Sequence, residues 1–345
     1  MMKFKLFWPL LVLLLILSVN LFFDPKFFII EVKNGHLTGS IIDILNRGAP
    51  LMLISLGMTL VIATKGIDLG VGSVVAMSGA IAAMTVSQST GISGDSLVPL
   101  FTAIAFALGL SLLAGLWNGI LVSRIGIQPI VATLILMVAG RGIAQLITNG
   151  QITTIYYEPY SFIGGGYLFM LPFSIFIVVA VLCLALFLTR RTSIGLFIES
   201  VGSNPEASRL AGINSKNIIL MVYLFSGFCA GIGGLILSSN VASADGNNAG
   251  LWYELDAILA VVIGGTSLMG GRFFLMGTVV GALIIQSLTT TIYSIGIPPE
   301  TNLVVKAIVV LIVCLLQSPD FRKKVLGRMK RTKQLSKNDK GVTLS

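Results

Sequence analysis

The sequence predicts an all-α, polytopic membrane protein of about ten transmembrane helices, with glycine-broken segments and a possible inverted repeat. Three observations carry this. Of the 345 residues, 55% are hydrophobic and only 11% are charged, a balance outside that of water-soluble domains. Apolar runs of about 20 residues recur along the chain, each long enough to cross a hydrocarbon core of about 30 Å. Basic residues gather in alternate connecting segments, the positive-inside bias of membrane proteins.

In chain order, Lys3 and Lys5 precede the apolar run Leu6 to Phe23, which Asp24 and Pro25 close. No small-residue cleavage site follows, so this run reads as an uncleaved first span with its N-terminus inside. Phe27 to Pro50 reads as an external segment holding a short interfacial helix, with Ser40 and Asp43 as a capping pair and Ile41, Ile42, Ile44 and Leu45 as its apolar stripe. His36, the single histidine, reads as a solvated loop residue because no second ligand accompanies it. The later spans are Ala49 to Thr64, Gly70 to Gln88, Leu97 to Ser123, Gln128 to Thr148, Pro172 to Thr189, Ile218 to Asn240, Glu254 to Gly271, Phe273 to Tyr293 and Asn302 to Ser318.

Alternating from an internal N-terminus, the spans put Lys65, Arg124, Arg190, Arg191, Arg209, Lys216 and Arg272 inside and only Lys26, Lys33 and Arg47 outside. Both termini are then cytoplasmic, at an inner (plasma) membrane. Residues 1–345 read as a single transmembrane domain, with a polar cytoplasmic loop at 190–217 and a basic cytoplasmic tail at 319–345. The tail accounts for much of the net charge of +9, and no aromatic-interleaved basic face accompanies it, so the partner implied is the lipid bilayer and not nucleic acid. Cys183, Cys229 and Cys314 all fall within apolar runs and read as buried thiols without disulfide or metal spacing.

Spans two to five and seven to ten are offset by an odd number of crossings, so a repeat relating them must be inverted. Both sets contain a glycine-interrupted segment: Gly66, Asp68, Gly70 and Ser73 between spans two and three, and Gly264, Gly265, Gly270 and Gly271 at the end of span eight. Such breaks point to a transport pathway. Asp68 can cap span three or meet a polar solute, two readings of equal weight at this stage. Arg141 lies too deep in its span to face lipid and favours a functional role or an internal salt bridge, whereas Lys306 can snorkel from near its span end. Glu254 and Asp256 follow Trp252 and Tyr253 at an external helix entry, a gate or docking surface unless the aromatics are simple interfacial anchors. Trp117 and Asn118 sit among small residues and suit a pore wall or close helix packing.

The loop at 190–217 contains a second pattern. Ser203 or Asn204 can cap a helix that begins at Pro205, carries Glu206 in its first turn, Ala207 in its body and Arg209 in its last turn, and ends before Gly212. A helix of about seven residues does not persist alone in water, so it calls for a docking partner.

No phosphate loop, HExxH motif or nucleophile elbow occurs in the chain, so it reads as a non-enzyme, without a catalytic set, a metal or a cofactor of its own. Uphill transport then needs a partner's energy or an ion gradient. An ion-coupled secondary transporter of a small polar solute is the alternative, against which stands the scarcity of membrane acids; a membrane-embedded enzyme lacks any nucleophile.

At these residues the chain resembles the membrane permease subunits of bacterial ABC importers for monosaccharides, the ribose, xylose and galactoside permeases. GIDLGVGS at 66–73, SVGSNPEASRLAGIN at 200–214 and ELDAILAVVIGGTSLMGGR at 254–272 carry the resemblance in register across nearly the whole chain. More narrowly, GSIIDILNRGAP, AGLWNGILV and QPIVATLILMVAGRGIAQLIT look most like the permeases of galactofuranose importers. Lys65 stands where that pattern usually has glycine, and Gly70 where it has serine. The resemblance implies carbohydrate import through a dimer of permease subunits. It also implies a cytoplasmic ATPase subunit that hydrolyses the ATP and seats the loop helix, and a periplasmic sugar-binding protein.

Overall fold

The computed structural model describes residues 2–23, 27–33, 35–88, 97–296, 301, 303–308 and 311. The chain divides into two units, residues 1–296 and residues 297–345. In the second, 303–308 is helical, and most of the expected span Asn302 to Ser318 and all of the tail at 319–345 lie outside the described residues.

The first unit is a helix bundle. Its long helices are α1 (Met2–Phe23), α2 (Ser40–Ala63), α3 (Val71–Gln88), α4 (Val98–Ile120), α5 (Pro129–Ile147), α7 (Phe173–Arg190), α10 (Ser215–Val241) and α12 (Leu275–Ser294), while α6 (Glu158–Gly165), α8 (Ile194–Ser203), α9 (Pro205–Leu210) and α11 (Tyr253–Ile263) are short. Among the described residues, seven helices are long and apolar enough to cross a membrane, α4 counted with the π-helical turn Leu121–Ile125 that continues it. The apolar stretch Leu6–Asn20 of α1 is shorter. The chain is therefore all-α and polytopic, though the described residues do not establish ten spans.

Three boundaries differ from the sequence reading. Ser40 to Leu45 is not a separate interfacial helix but the first turns of α2, which runs through Pro50. A proline removes one ladder bond, and inside a bundle neighbouring helices offset that loss. The expected span Glu254 to Gly271 is helical only to Ile263, because Gly264 ends α11 and Gly265, Gly270 and Gly271 take positive φ. The loop at 190–217 contains two helices, α8 and α9, where one was expected.

Helix α2 is the centre, buried at every position from Gly48 to Ala63, and packs against α7, α10, α11 and α12. Close approach rests on small residues: Gly115 of α4 meets Gly227 of α10, Ser111 meets Gly231, and Gly57 of α2 meets Ser226 and Cys229. In an apolar medium such small-xxx-small stripes let backbones touch and dispersion replace the missing hydrophobic drive. Helices α4, α5 and α7 bury only a stripe and leave large apolar side chains such as Phe101, Val138 and Phe187 outside, the surface a bilayer solvates. Cys229 is buried, but Cys183 on α7 is exposed there, against the sequence expectation; Cys314 lies outside the described residues.

Short antiparallel ladders close one end of the bundle. β1 (Glu31–Lys33) pairs with β2 (His36–Thr38), β3 (Thr153–Thr154) with β6 (Ser243–Ala244), and β4 (Tyr167–Leu168) with β5 (Leu171–Pro172). His36 is not a free loop residue: its ring stacks on Tyr167 with centroids 4.3 Å apart. At the other end the basic residues gather. Lys65 reaches Ser203, Arg124 reaches Asn217 at the start of α10, and Arg190 lies over the Phe273 ring.

Candidate functional site

The glycine-rich break between α2 and α3 forms a buried polar latch. Helix α2 stops at Ala63, and Lys65 turns into the left-handed region at φ 64°. The chain then runs without helix through residues 66–68 and turns at 69–70 before α3 begins at Val71, leaving backbone groups that side chains must satisfy. Thr133 of α5 does part of this: its hydroxyl accepts from Leu69 N–H at 3.1 Å, and its one proton is shared between the Pro129 carbonyl of its own helix at 2.9 Å and the Ile67 carbonyl at 3.2 Å. Ser73 Oγ lies 2.8 and 3.0 Å from the carbonyls of Gly70 and Leu136, which share its single O–H.

Asp68, only 3% exposed, sits at the centre. Its Oδ1 accepts from Gly70 N–H at 3.1 Å and from Asn118 Nδ2 of α4 at 3.3 Å, and its Oδ2 accepts from Ser226 Oγ of α10 at 2.9 Å. The carboxylate thus ties the break to two helices. Tyr223 closes the cluster, and a side chain at Gly66 would collide with its hydroxyl. Among the described residues, Tyr223 Oη and Asn118 Oδ1 are buried without a hydrogen-bond partner, so the latch keeps polar capacity unused in this conformation.

A second cluster lies further toward the strand-closed end. After α10 the chain descends into the bundle along α5. Ser243 and Ala244 pair with Thr154 and Thr153, Asn247 accepts from Gln145 Nε2 at 2.6 Å, and Ala249 accepts from Arg141 at 2.5 Å. Gly250 and Glu254 then pack against Gly72 at the start of α3. Because Arg141 stands six residues before Ile147, this loop reaches about 9 Å inward from the end of α5. Arg141 therefore holds a re-entrant loop by its carbonyls, Ala249 and, at 3.5 Å, Gly246; the sequence offered a functional role or an internal salt bridge, and no ion pair within 4 Å is made at Arg141 among the described residues. Glu254 stands in the first turn of α11, as expected of a helix entry, with its side chain buried, and Trp252 is the left-handed residue (φ 67°) that turns the chain into α11. The Asp245 carboxylate is held below its usual range: burial works against this, but the Asn248 side chain and the N–H groups of Asn247 and Asn248 donate to it, and Arg141 adds attraction.

A cavity of about 270 Å³ opens beside this loop, lined by Val75, Gly79, Ser238, Asp245, Asn248 and Tyr253 among others. Its size is near the lower end of small-molecule sites, about 300 Å³. Its walls are mainly aliphatic side chains and glycine backbone, with the Asp245 carboxylate, the Asn248 amide and the Ser238 and Ser243 hydroxyls as a few polar groups, the usual make-up of a small-molecule site.

The structure therefore joins Gly66, Asp68, Gly70, Ser73 and Asn118 in one cluster and Arg141 and Glu254 in its neighbour, with Gly72 bridging them. Trp117 is not among them; it stands on the outer face of α4, 53% exposed. Asp256 is half-buried one turn into α11. Gly264 packs against Gly277 of α12, Gly265 turns the chain (φ 86°), and Gly270 and Gly271 sit at the basic end beside Lys65 and Ser203. Sequence reasoning missed Ser226, Tyr223 and Thr133; the first two share one apolar run and the third stands in another, a signal that marks a buried partner without saying whose.

At the basic end, Asn204 is the cap of α9, its side-chain oxygen accepting from Glu206 and Ala207 N–H at 3.1 Å each. Pro205 opens the helix, Glu206 and Arg209 pair at 3.1 Å, and Gly212 follows at φ 84°. Leu210 projects from it, 86% exposed.

The sequence matches the family described as branched-chain amino acid transport system / permease component over residues 40–314. It is 54% identical to the galactofuranose transporter permease protein YtfT of Escherichia coli K12, over 94% of this chain and 95% of that protein. It is 39% identical to the fructose import permease protein FruF of Bifidobacterium longum, over 98% of this chain and 94% of that protein. With the ribose import permease protein RbsC of Escherichia coli K12 the identity is 36%, over 90% and 92%. No solved structure matches the chain. The bundle, its glycine-broken segments and these near-full-length matches make the chain a multi-pass inner-membrane protein that belongs to the permease-component family of branched-chain amino acid transport systems.

Proposed function

We propose that the chain is the permease subunit of an ATP-driven importer and forms the translocation pathway for a monosaccharide of the galactofuranose type. The observation that carries this is 54% identity, over 94% of the chain, with a galactofuranose transporter permease. The site geometry supports it: a cavity of about 270 Å³ with a few hydroxyl, amide and carboxylate groups in its lining lies beside the loop that packs on the glycine-broken segment, and the Asp68 hydrogen bonds tie that segment to two helices.

In this reading both termini are cytoplasmic and the basic end faces the cytoplasm. A periplasmic sugar-binding protein delivers the sugar to the strand-closed end, near Asn247 to Asp256. A cytoplasmic ATPase subunit, which alone binds and hydrolyses ATP, seats α9 in a groove and drives the conformational change. A second permease subunit completes the pathway. Breaking and remaking the Asp68 hydrogen bonds alternates the gate, with Gly66 and Gly70 absorbing the backbone change. Sugar contacts are few and weak, because a pathway fed by a high-affinity binder gains no rate from holding its cargo tightly.

The test is uptake into proteoliposomes that hold the chain, its ATPase subunit and internal ATP, with the loaded binding protein outside. ATP-dependent entry of labelled galactose in its furanose form is expected, with ribose and fructose slower by about tenfold or more. Uptake that needs a sodium or proton gradient and ignores ATP would overturn the reading in favour of a secondary transporter. Equal entry of all three sugars would overturn the substrate assignment.

A further inference from the structure

We infer that Lys65 is a positioning residue that clasps the cytoplasmic helix pair α8–α9 to the Asp68 latch, so that movement of α9 is transmitted to the α2–α3 break. The inference rests on the permease reading and names the joint through which it works.

Four observations converge on this residue. Lys65 holds φ 64°, a left-handed conformation that costs a side-chain-bearing residue about 1 kcal/mol relative to glycine. A lysine placed there needs a compensating contact. That contact is made by its Nζ, which donates to the Ser203 carbonyl at 2.8 Å. Ser203 is the last residue of α8, where carbonyls have no intrahelical partner and the helix end attracts a cation. The side-chain stem also packs against Gly270, where an added Cβ would collide with Lys65 Cγ.

The surroundings make this a joint rather than a chance surface contact. Gly271 N–H donates to the Ala63 carbonyl at 2.9 Å, tying the glycine loop after α11 to the end of α2. Gly202 lies so close to Ala63 and Gly271 that a Cβ there would strike both. Asn204, the cap of α9, directly follows the carbonyl that Lys65 holds. On the other side, Asp68 is three residues from Lys65, across a stretch pinned by Thr133. Displacement of α9 therefore pulls on Ser203, Lys65 and the latch in sequence, through a short, hydrogen-bonded path.

The experiment uses the whole importer in proteoliposomes and reads sugar entering per ATP hydrolysed, together with thermal stability of the complex. Lys65→Gly removes the clasp and the backbone strain together, so stability is expected to hold or rise by about 2 °C while ATP hydrolysed per sugar rises on the order of tenfold. Lys65→Met keeps the stem and loses the donor, and the same uncoupling is expected. Lys65→Arg keeps a donor and should restore most of the wild-type ratio. If both Lys65→Gly and Lys65→Met keep the wild-type ratio, the clasp is overturned while the permease reading stands. If both lose stability and uptake in proportion, with the ratio unchanged, Lys65 is structural only and the proposal fails. A wild-type complex that imports no sugar overturns the permease reading and this one with it.

Discussion

Replacing Asp68 with alanine should destabilise the chain by about 3 kcal/mol and abolish uptake, whereas Asp68→Asn should cost only about 1 kcal/mol. The difference follows from hydrogen-bond supply. Alanine strands the Gly70 N–H and Asn118 Nδ2 in a site where Asp68 is 3% and Asn118 1% exposed, and each stranded donor costs about 1–3 kcal/mol. The Ser226 hydroxyl can turn back to a carbonyl of its own helix. Asparagine keeps one oxygen for Gly70 and Asn118, and its amide can donate to Ser226 Oγ, which then accepts. Thermal unfolding in detergent and sugar uptake, measured on the same preparations, separate the two roles the sequence leaves open for Asp68. A latch predicts that Asp68→Asn loses only about 1 kcal/mol of stability and keeps uptake within about threefold of wild type. Near-wild-type stability with uptake lost would instead make the carboxylate a sugar contact.

The second large effect is expected at Gly202, where one added methyl should be enough to disconnect the helix pair α8–α9. A Cβ there would fall inside the contact distance of the Ala63 carbonyl oxygen and 2.7 Å from Gly271 N. Both are backbone atoms that cannot rotate aside, so α8 must shift. Such overpacking costs about 1–3 kcal/mol, and a shift of α8 carries Ser203 away from Lys65. Gly202→Ala should therefore lower sugar uptake by about tenfold or more at matched expression. Gly142→Ala is the control. Gly142 lies in α5 with nothing within 4 Å of an added Cβ, and the change removes a helix penalty of about 1 kcal/mol. Equal uptake in Gly202→Ala and wild type would remove this contact from the coupling path.

Much of the architecture was legible because a bilayer leaves the chain few options. Runs such as Gly70 to Gln88 and Pro172 to Thr189 match α3 and α7 within a residue or two, since apolar length alone decides a span. Helix α9 was readable from side-chain chemistry: Asn204, Pro205 and Gly212 each have one favoured place at a helix end. What failed depended on tertiary surroundings. Pro50 reads as a boundary in isolation, yet α2 continues through it because a bundle supports an interrupted ladder. The sequence reading carries the span through Leu268 and Met269 to Gly271, but Gly264 ends α11 and Gly265 turns the chain at φ 86°. The depth of Arg141 was clear from its span, while its partners, carbonyls of a re-entrant loop more than a hundred residues later, carry no side-chain signature. Trp117 and Asn118 are adjacent in sequence and face opposite ways, one to the outside and one to Asp68. Ser226, Tyr223 and Lys65 acquire meaning only once the fold places them.

The central claim is that α9 passes force from a partner ATPase into this chain. Its exposed Glu206–Arg209 pair is worth only about 0.2–1 kcal/mol, so single charge removals should weaken assembly mildly. Ala207 is exposed on α9 and its replacement by Trp adds bulk to a surface that must fit a groove; Gly212→Val places a branched side chain at φ 84°, which it cannot adopt without strain. The direct measurement is co-purification of the ATPase subunit with Ala207→Trp and Gly212→Val chains, with ATP hydrolysis stimulated by the loaded binding protein read on the same membranes at matched expression. Both quantities are expected to fall by about tenfold or more. Wild-type levels of both in both variants would contradict the account, because the loop between α7 and α10 would then not be the place where the partner acts.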